Sequence, residues 1–217
     1  MKVINFDEHK TLLSQYMSEL RDKDFQQNRL RFRTNLERIG EIMAYEISKT
    51  LDYCPKDITT PLGTAHCNVL KQNVVLGTIF RAGLPFHQGF LRYIDNAENA
   101  FVSAYRKYTD NTNFDIHIEY IASPNITGKT LILVDPMLAT GSSMELAYQA
   151  LLTKGTPDRV ILASVIASRQ AVDYLHSKFP TNTVSLYVAA IDEEINSHKY
   201  IIPGLGDAGD LAFGVKD

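Results

Sequence analysis

The sequence has few cysteines, and this shortage excludes two classes of protein. Its 217 residues include two cysteines, Cys54 and Cys67, too few for a disulfide-stabilised scaffold and typical of a reducing compartment. Neither lies in a metal-ligand spacing such as Cys-x-x-Cys. His66 precedes Cys67, but no second cluster of ligand residues accompanies the pair. We therefore interpret His66 and Cys67 as structural and predict no metal site built from protein side chains alone.

The sequence also lacks an excess of positive charge and any long apolar run. Lysine and arginine number 22 against 25 acids, so there is no basic surface to indicate nucleic acid as a partner. The longest apolar segment, residues 160–167, is far shorter than the roughly 20 residues that a membrane-spanning helix needs. Residues 1–10 carry acids where a signal peptide needs an apolar core. We expect a cytoplasmic protein without membrane or nucleic-acid partners.

The chain shows no repeats, linkers or low-complexity runs, so we predict one domain over residues 1–217. Two segments differ from the rest: a helical start over residues 1–50, with apolar residues at helical spacing, and a tail over residues 195–217. Between them strand-like and helix-like stretches alternate, which indicates an α/β fold with a mainly parallel sheet covered on both faces. We interpret the arginines of the helical start as a solvated or interface surface: Arg29, Arg31, Arg33 and Arg38.

The most informative stretch is residues 130–144, TLILVDPMLATGSSM. Its apolar run, residues 131–134, is too short for a helix and is typical of a strand buried on both faces. An acid, Asp135, follows this run directly, and a hydroxyl-rich turn surrounds Gly141. Beyond the turn apolar residues recur at helical spacing: Met144, Ala147, Tyr148 and Leu151.

This succession of strand, turn and helix permits two interpretations. Serine and threonine are common helix caps, so Thr140, Ser142 and Ser143 could form an ordinary helix start. Their hydroxyls, the N–H groups of a glycine turn and the positive end of the helix dipole would also bind a phosphate. Asp135 favours the phosphate site, because a carboxylate at the carboxyl edge of a parallel sheet can accept hydrogen bonds from two sugar hydroxyls. The spacing suits a ribose 5-phosphate.

Two arginines are further candidates. A buried strand over residues 74–80 ends at Arg81 and a glycine-containing turn before the next helix, which favours Arg81 as an anion clamp. Strand-like runs at residues 100–106 and 115–121 predict a hairpin with a long tip and Arg106 at its root. Long loops in compact domains often act as lids.

The tail segment IIPGLGDAGD, residues 201–210, holds three glycines and two acids without helix or strand period. Its apolar residues indicate ordered packing, in contrast to a disordered end. Glycines in an ordered loop expose backbone N–H and C=O groups to a ligand, which suits recognition of the edge of a small planar base.

Together these motifs resemble those of the uracil phosphoribosyltransferases, a branch of the type I phosphoribosyltransferase family. VDPMLATGSSM, residues 134–144, is similar to their signature for phosphoribosyl diphosphate (PRPP), in the form with a proline, Pro136, in place of a second acid. RAGLP at residues 81–85 and YR at residues 105–106 resemble further segments of the family. YIIPGLGDAGDLAFG, residues 200–214, is similar to its uracil-binding loop almost residue for residue. The resemblance covers nearly the whole chain in order.

The resemblance implies a fold and an activity. The fold would be that of type I phosphoribosyltransferases, with a small hood formed by terminal segments and a β-hairpin arm. The reaction would join uracil to PRPP, giving UMP and pyrophosphate in pyrimidine salvage, with Mg²⁺ carried on PRPP. A homodimer or higher homo-oligomer is expected, and GTP is a candidate effector.

The resemblance also assigns roles to residues. Arg81 and Arg106 would hold the pyrophosphate, and Asp207 would also contact PRPP. Uracil would be recognised by backbone groups of Ile201, Gly206 and Ala208. The ribose hydroxyls and 5-phosphate of PRPP would lie against a continuous run: Asp135, Pro136, Met137, Leu138, Ala139, Thr140, Gly141, Ser142 and Ser143.

Several positions depart from the family pattern close to the expected cleft. Ser142 stands where a glycine is usual, Leu211 where a basic residue is usual, and ASRQ at residues 167–170 where the family has Ala-Pro-Glu-Gly. The loop after Arg106 also differs. These departures leave two alternatives to phosphoribosyl transfer onto uracil: a regulatory protein that binds PRPP or a nucleotide without turnover, and a transferase for another base.

Overall fold

Helices and strands alternate along most of the chain in the computed structural model. It describes residues 1–71, 73–108, 114–179 and 182–216, without the side chains of residues 104–108 and 114–118. The first elements are β1 (Lys2–Asn5), α1 (Leu12–Arg21), α2 (Arg29–Ser48), β2 (Tyr53–Thr60), β3 (Gly63–Leu70), β4 (Val74–Phe80), α3 (Gly83–Leu91) and β5 (Glu98–Tyr108). The others are β6 (Phe114–Ala122), β7 (Thr130–Val134), β8 (Met137–Leu138), α4 (Ser142–Leu152), β9 (Arg159–Ser168), α5 (Arg169–Lys178), β10 (Val184–Asp192), β11 (Glu194–Ile195), β12 (Ile201–Ile202) and α6 (Ala208–Phe213).

One large sheet positions these elements. Its strands follow the order β1-β10-β9-β7-β4-β5-β6, and β8 also pairs with β9. The pairs are parallel except for β5 and β6, which form an antiparallel hairpin. The predicted α/β fold with a mainly parallel sheet is therefore confirmed, and so is the predicted hairpin. The tip of that hairpin, residues 109–113, lies outside the described residues.

The central strand β7 shows why the sheet is covered on both faces. Its side chains alternate in direction, and every residue of the strand is buried. Ile132 and Val134 belong to a core that includes α2 and α3. Leu131 and Leu133 belong to a second core that includes α4 and α5. A short apolar run without alternation is what a strand buried on both faces requires.

The structure contains elements that the sequence pattern does not predict. β1 lies within the supposedly helical start and pairs in parallel with β10 at one edge of the sheet. β2 and β3 form a separate antiparallel hairpin. The tail, which shows no helix or strand period in sequence, contains α6 with Asp207 as its amino-terminal cap. A helix of six residues is too short to show a helical period in sequence.

Two helices at the amino-terminal end pack against the first core, as predicted. α1 buries Leu13, Met17 and Leu20, and α2 buries an apolar stripe that includes Leu36 and Ile39. In the described part of the chain, no helix is both long enough and apolar enough to cross a membrane.

An ion pair ties α1 to α2. Glu19 accepts hydrogen bonds from Arg31 Nε at 2.8 Å and from Asn35 Nδ2 at 2.8 Å. The hydrogen bond from Arg31, and then the one from Asn35, lower the pKa of Glu19 from 4.5 to about 2. The corresponding stabilisation is present above the unfolded-state pKa and is lost as the pH falls through the folded-state pKa.

Substitution of Glu19 by glutamine should therefore make the free energy of unfolding depend less on pH in the acid range. The free energy of unfolding of the unmodified protein is expected to fall between about pH 4.5 and pH 2, and Glu19→Gln should show less of this fall. Urea unfolding at a series of pH values measures it. Glu46→Gln, at an exposed pair with Lys49, is the control, and equal slopes for both variants would contradict the assignment.

Candidate active site

The predicted phosphate-binding turn lies in the connection between β7 and α4, directly before the first residue of α4. Gly141 is the amino-terminal cap of α4, has a φ of 79°, and no side chain caps the helix. The hydroxyls of Thr140 and Ser142 contact each other at 2.7 Å. The cap is thus a glycine in the left-handed region, and Thr140 Oγ1 accepts a long hydrogen bond of 3.5 Å from Ser142 N, so the choice between a phosphate site and an ordinary helix start stays a prediction. A helix start without a side-chain cap presents its N–H groups and dipole to an anion.

Helix α5 holds this turn in place. A Cβ at Gly141 would lie 3.1 Å from Leu175 Cγ and 3.1 Å from Tyr174 Cδ1, so the turn packs directly on α5. Ser168 caps α5 through a bond from Ala171 N, and its hydroxyl also donates to Ala139 O at 2.6 Å. The second bond was not foreseeable from the sequence, because it joins segments 29 residues apart.

Asp135 lies at the carboxyl edge of the sheet, as predicted from the run before it. Its backbone N–H donates to Ala163 O at 3.1 Å on β9. Its carboxylate accepts a hydrogen bond from Met137 N at 3.3 Å, which orients the side chain. The residue is partly buried at this rim.

Arg81 lies at the same edge, directly after β4. Its Nη2 donates to Asp210 Oδ1 at 2.7 Å, and its Nη1 donates to Gly214 O at 3.1 Å. The peptide between Phe80 and Arg81 is cis. The guanidinium therefore reaches from the sheet to the tail and is part-buried between them.

The tail contacts the segment that leads from β7 to the predicted phosphate-binding turn. Ala208 N donates to Met137 Sδ at 3.4 Å, which joins the predicted base loop to the predicted PRPP signature. Asp207 caps α6 by accepting from Asp210 N at 3.0 Å. Gly206 is exposed with a φ of 87°, whereas Ile201 is buried in the first core. The tail is therefore held beside the segment that joins β7 to the turn.

Comparison with known proteins agrees with this geometry. The model of the family described as uracil phosphoribosyltransferase matches residues 8–215. The chain belongs to the uracil phosphoribosyltransferase family. A protein of Porphyromonas gingivalis named uracil phosphoribosyltransferase is 62% identical over 216 residues, covering 100% of both chains. One of that name from Pyrococcus furiosus is 39% identical over 210 residues, covering 95% of this chain and 88% of the relative. The solved structure of the AQ2163 protein from Aquifex aeolicus, 30% identical, has a TM-score of 0.87 and covers 98% of each chain.

Arg106 differs from the other residues of the family pattern, because the structure describes its backbone alone. The backbone of Arg106 pairs with Ile116 in the β5–β6 hairpin, but its side chain lies outside the described part of the chain. Its role at the pyrophosphate stays a prediction. Among the residues that the structure describes, no three His, Cys, Asp or Glu side chains cluster as a metal site.

The sequence pattern missed side chains that connect the helical start to the family's uracil loop. Arg21 Nη1 donates to Gly204 O at 3.0 Å, and Gln26 Nε2 donates to Leu205 O at 3.4 Å. Arg33, interpreted from sequence as part of a solvated or interface surface, donates to Ala212 O at 2.6 Å. These bonds join residues 179 or more positions apart, so no local pattern in the sequence announces them.

Proposed function

We propose that the protein transfers the phosphoribosyl group of PRPP to uracil, giving UMP and pyrophosphate. The observation that carries the proposal is the contact between Ala208 and Met137, which brings the base loop beside the PRPP signature in a chain of this family. A sugar phosphate on the turn and a planar base on the tail would then be neighbours, as a transfer between them requires.

The ribose 5-phosphate is assigned to the rim formed by β7 and α4. Asp135 accepts hydrogen bonds from two ribose hydroxyls, since it lies at the carboxyl edge of the sheet and its carboxylate is oriented by Met137 N. The phosphate binds to N–H groups and hydroxyls at the start of α4, around Gly141, where the helix dipole favours an anion. The remaining residues assigned to PRPP surround these two: Pro136, Leu138, Ala139, Thr140, Ser142 and Ser143.

Arg81 and Arg106 act on the leaving group. Breaking the bond between ribose C1 and pyrophosphate places negative charge on the leaving oxygen and positive charge on the sugar. Cationic donors aimed at that oxygen lower the barrier through electrostatics, and no covalent intermediate with the protein is needed. Arg81 is paired with Asp210, so pyrophosphate would replace a carboxylate as its partner.

Uracil is assigned to backbone groups of the tail. The N–H and C=O groups of Ile201, Gly206 and Ala208 recognise its O2, N3 and O4 edge. Ala208 N now donates to Met137 Sδ. Because a thioether is a weak acceptor, exchanging it for a uracil oxygen is favourable.

Mg²⁺ is assigned to the diphosphate of PRPP. Asp207 and Asp135 carry carboxylate oxygens, the ligands that Mg²⁺ prefers, and would add to the coordination of a metal held mainly by the oxygens of PRPP. Bound there, Mg²⁺ would neutralise charge that develops on the departing pyrophosphate.

The activity is tested by incubating the purified protein with Mg·PRPP and uracil, cytosine or hypoxanthine separately. We expect UMP and pyrophosphate in equal amounts from uracil and little product from the other bases. Binding of PRPP without any product would support the regulatory alternative, and preference for another base would support the second alternative.

Asp135→Asn is expected to raise the KM for PRPP about tenfold, because a charge-assisted hydrogen bond to the ribose becomes a neutral one. The fold should be unchanged, since an asparagine oxygen can still accept from Met137 N. Initial rates at varied PRPP measure the effect, and Asp173→Asn, exposed on α5, is the matched control. Full activity of Asp135→Asn would exclude the ribose assignment.

Assembly, regulation and location are proposed in the same terms. Leu30, Leu84 and Phe213 are exposed apolar residues along one open groove, which supports a homodimer or higher homo-oligomer. Light scattering on the purified protein tests this.

GTP as an effector follows from the family resemblance and is tested by adding GTP to the UMP assay. A cytoplasmic location follows from the composition and is tested by cell fractionation.

A further inference from the structure

An ion pair lies beneath the tail, outside the residues assigned to PRPP and uracil. Arg21, the last residue of α1, binds Asp192, the last residue of β10, through two parallel bonds: Nη1 to Oδ2 at 2.8 Å and Nη2 to Oδ1 at 2.8 Å. The Asp192 side chain is 8% exposed and the Arg21 side chain 26%. Such a two-pronged pair fixes the relative orientation of its partners as well as their distance.

Both members of the pair also bind the backbone of one tail residue. Arg21 Nη1 donates to Gly204 O at 3.0 Å, and Gly204 N donates to Asp192 Oδ2 at 2.8 Å. Gly204 has a φ of 60°, and a Cβ there would lie 2.1 Å from Ile201 O. The chain therefore turns sharply between Ile201 and Gly206 around a backbone unit whose donor and acceptor are both held by the pair.

The neighbouring residue is held from the same side. Gln26, which follows α1, donates through Nε2 to Leu205 O at 3.4 Å and to Leu20 O at 3.1 Å. It therefore links the next residue of the tail to α1. Burial raises the pKa of Asp192, but the hydrogen bonds from Arg21 and Gly204 N outweigh burial and leave the pKa below its ordinary value. The carboxylate is thus ionised at neutral pH, as the geometry requires.

We infer that Arg21 and Asp192 are positioning residues for the base. By fixing Gly204 between Ile201 and Gly206, they hold the backbone groups on either side in the arrangement that recognises uracil. The inference rests on the proposed function, since it takes Ile201 and Gly206 as uracil contacts. A preorganised loop binds without first paying the entropy of ordering. Among the described residues, the side-chain hydrogen bonds of the pair run to each other and to Gly204, and none runs to residues 135–143, so its effect should fall on uracil and spare PRPP.

Arg21→Lys tests the positioning role, because lysine keeps the positive charge but cannot form the two parallel hydrogen bonds of the guanidinium to Asp192. We expect the KM for uracil to rise about 10-fold or more, while kcat at saturating uracil and the KM for PRPP change less than about twofold, as displaced positioning groups predict. Gln26→Met should act in the same direction with a smaller effect. Arg92→Lys is the matched control, because Arg92 forms exposed pairs with Glu37 and Glu41 at the far end of α3, and should leave both KM values unchanged.

A chemical rescue separates positioning from mere stability. For Arg21→Ala, millimolar methylguanidinium should bring the KM for uracil back toward that of the unmodified protein, since the guanidinium can bind Asp192 and Gly204 again. Urea unfolding and calorimetry with Mg·PRPP monitor the fold independently of uracil.

Three outcomes would overturn the inference. One is an unchanged KM for uracil in Arg21→Lys and Gln26→Met. Another is a rise of both KM values together with a lower urea midpoint, which indicates a purely structural pair. The third is failure of methylguanidinium to restore uracil use in a folded variant. Failure of the proposed function itself is distinguishable, because the unmodified protein would then form no UMP.

Discussion

Arg81→Ala is expected to lower kcat/KM for PRPP by about 10²–10³-fold, the usual cost of removing one preorganised donor from a developing negative charge. The side chain lies at the carboxyl edge beside Asp207 and Asp210, where the pyrophosphate is expected. The loss should appear mainly in kcat, because charge on the leaving group is greatest in the transition state. Initial rates at varied Mg·PRPP with saturating uracil measure it.

Two companion variants separate the guanidinium from its ion pair. Asp210→Asn breaks the pair and keeps Arg81, so it should retain most of the activity; the pair is half-exposed and contributes little to stability. Arg92→Ala removes an exposed arginine at the far end of α3 and should leave the rates unchanged. If Arg81→Ala kept kcat/KM within a few-fold, or if Asp210→Asn lost as much, the leaving-group assignment would be wrong.

Gly141→Ala is expected to lower kcat/KM for PRPP about 100-fold, because small displacements of a binding turn are costly for a positioned reaction. A side chain at a φ of 79° is strained, and its Cβ would press on Leu175 and Tyr174 at 3.1 Å. The turn would then move away from the position that receives the 5-phosphate. Kinetics at varied PRPP, with urea unfolding in parallel, measure the change.

Gly128→Ala is the matched control for that variant. Gly128 also has a positive φ, 72°, but the nearest atom to an added Cβ is 4.0 Å away. It should therefore lose about 1 kcal/mol of unfolding free energy from backbone strain alone and keep its use of PRPP. Equal kinetic losses in the two variants would mean that strain, and not the phosphate-binding turn, explains the effect.

The local parts of the site were predictable because their signals are local. The apolar run of β7, the acid after it and the glycine turn before α4 are consecutive, so their strand, edge and helix start follow from pattern alone. Arg81 was placed at the same rim for the same reason, since parallel strands end at one edge. Convergence of the tail on that rim was expected from the family resemblance, and the contact between Ala208 and Met137 agrees with it.

The parts that sequence reasoning missed depend on distant partners or on very short elements. Arg21 and Asp192 are 171 positions apart, and nothing near either residue reports the other. β1 has four residues, and its place in the sheet comes from pairing with β10. α6 has fewer than two turns, so the cap at Asp207 was not separable from a loop.

A crystal structure with bound UMP tests the central claim most directly, because UMP carries both the phosphate assigned to the turn around Gly141 and the base assigned to the tail. We predict its phosphate within hydrogen-bond distance of the N–H groups that follow Gly141, and its ribose hydroxyls on Asp135. The uracil edge should lie against the backbone of Ile201, Gly206 and Ala208. A phosphate bound away from the start of α4, or a base without contact to residues 201–208, would contradict the account.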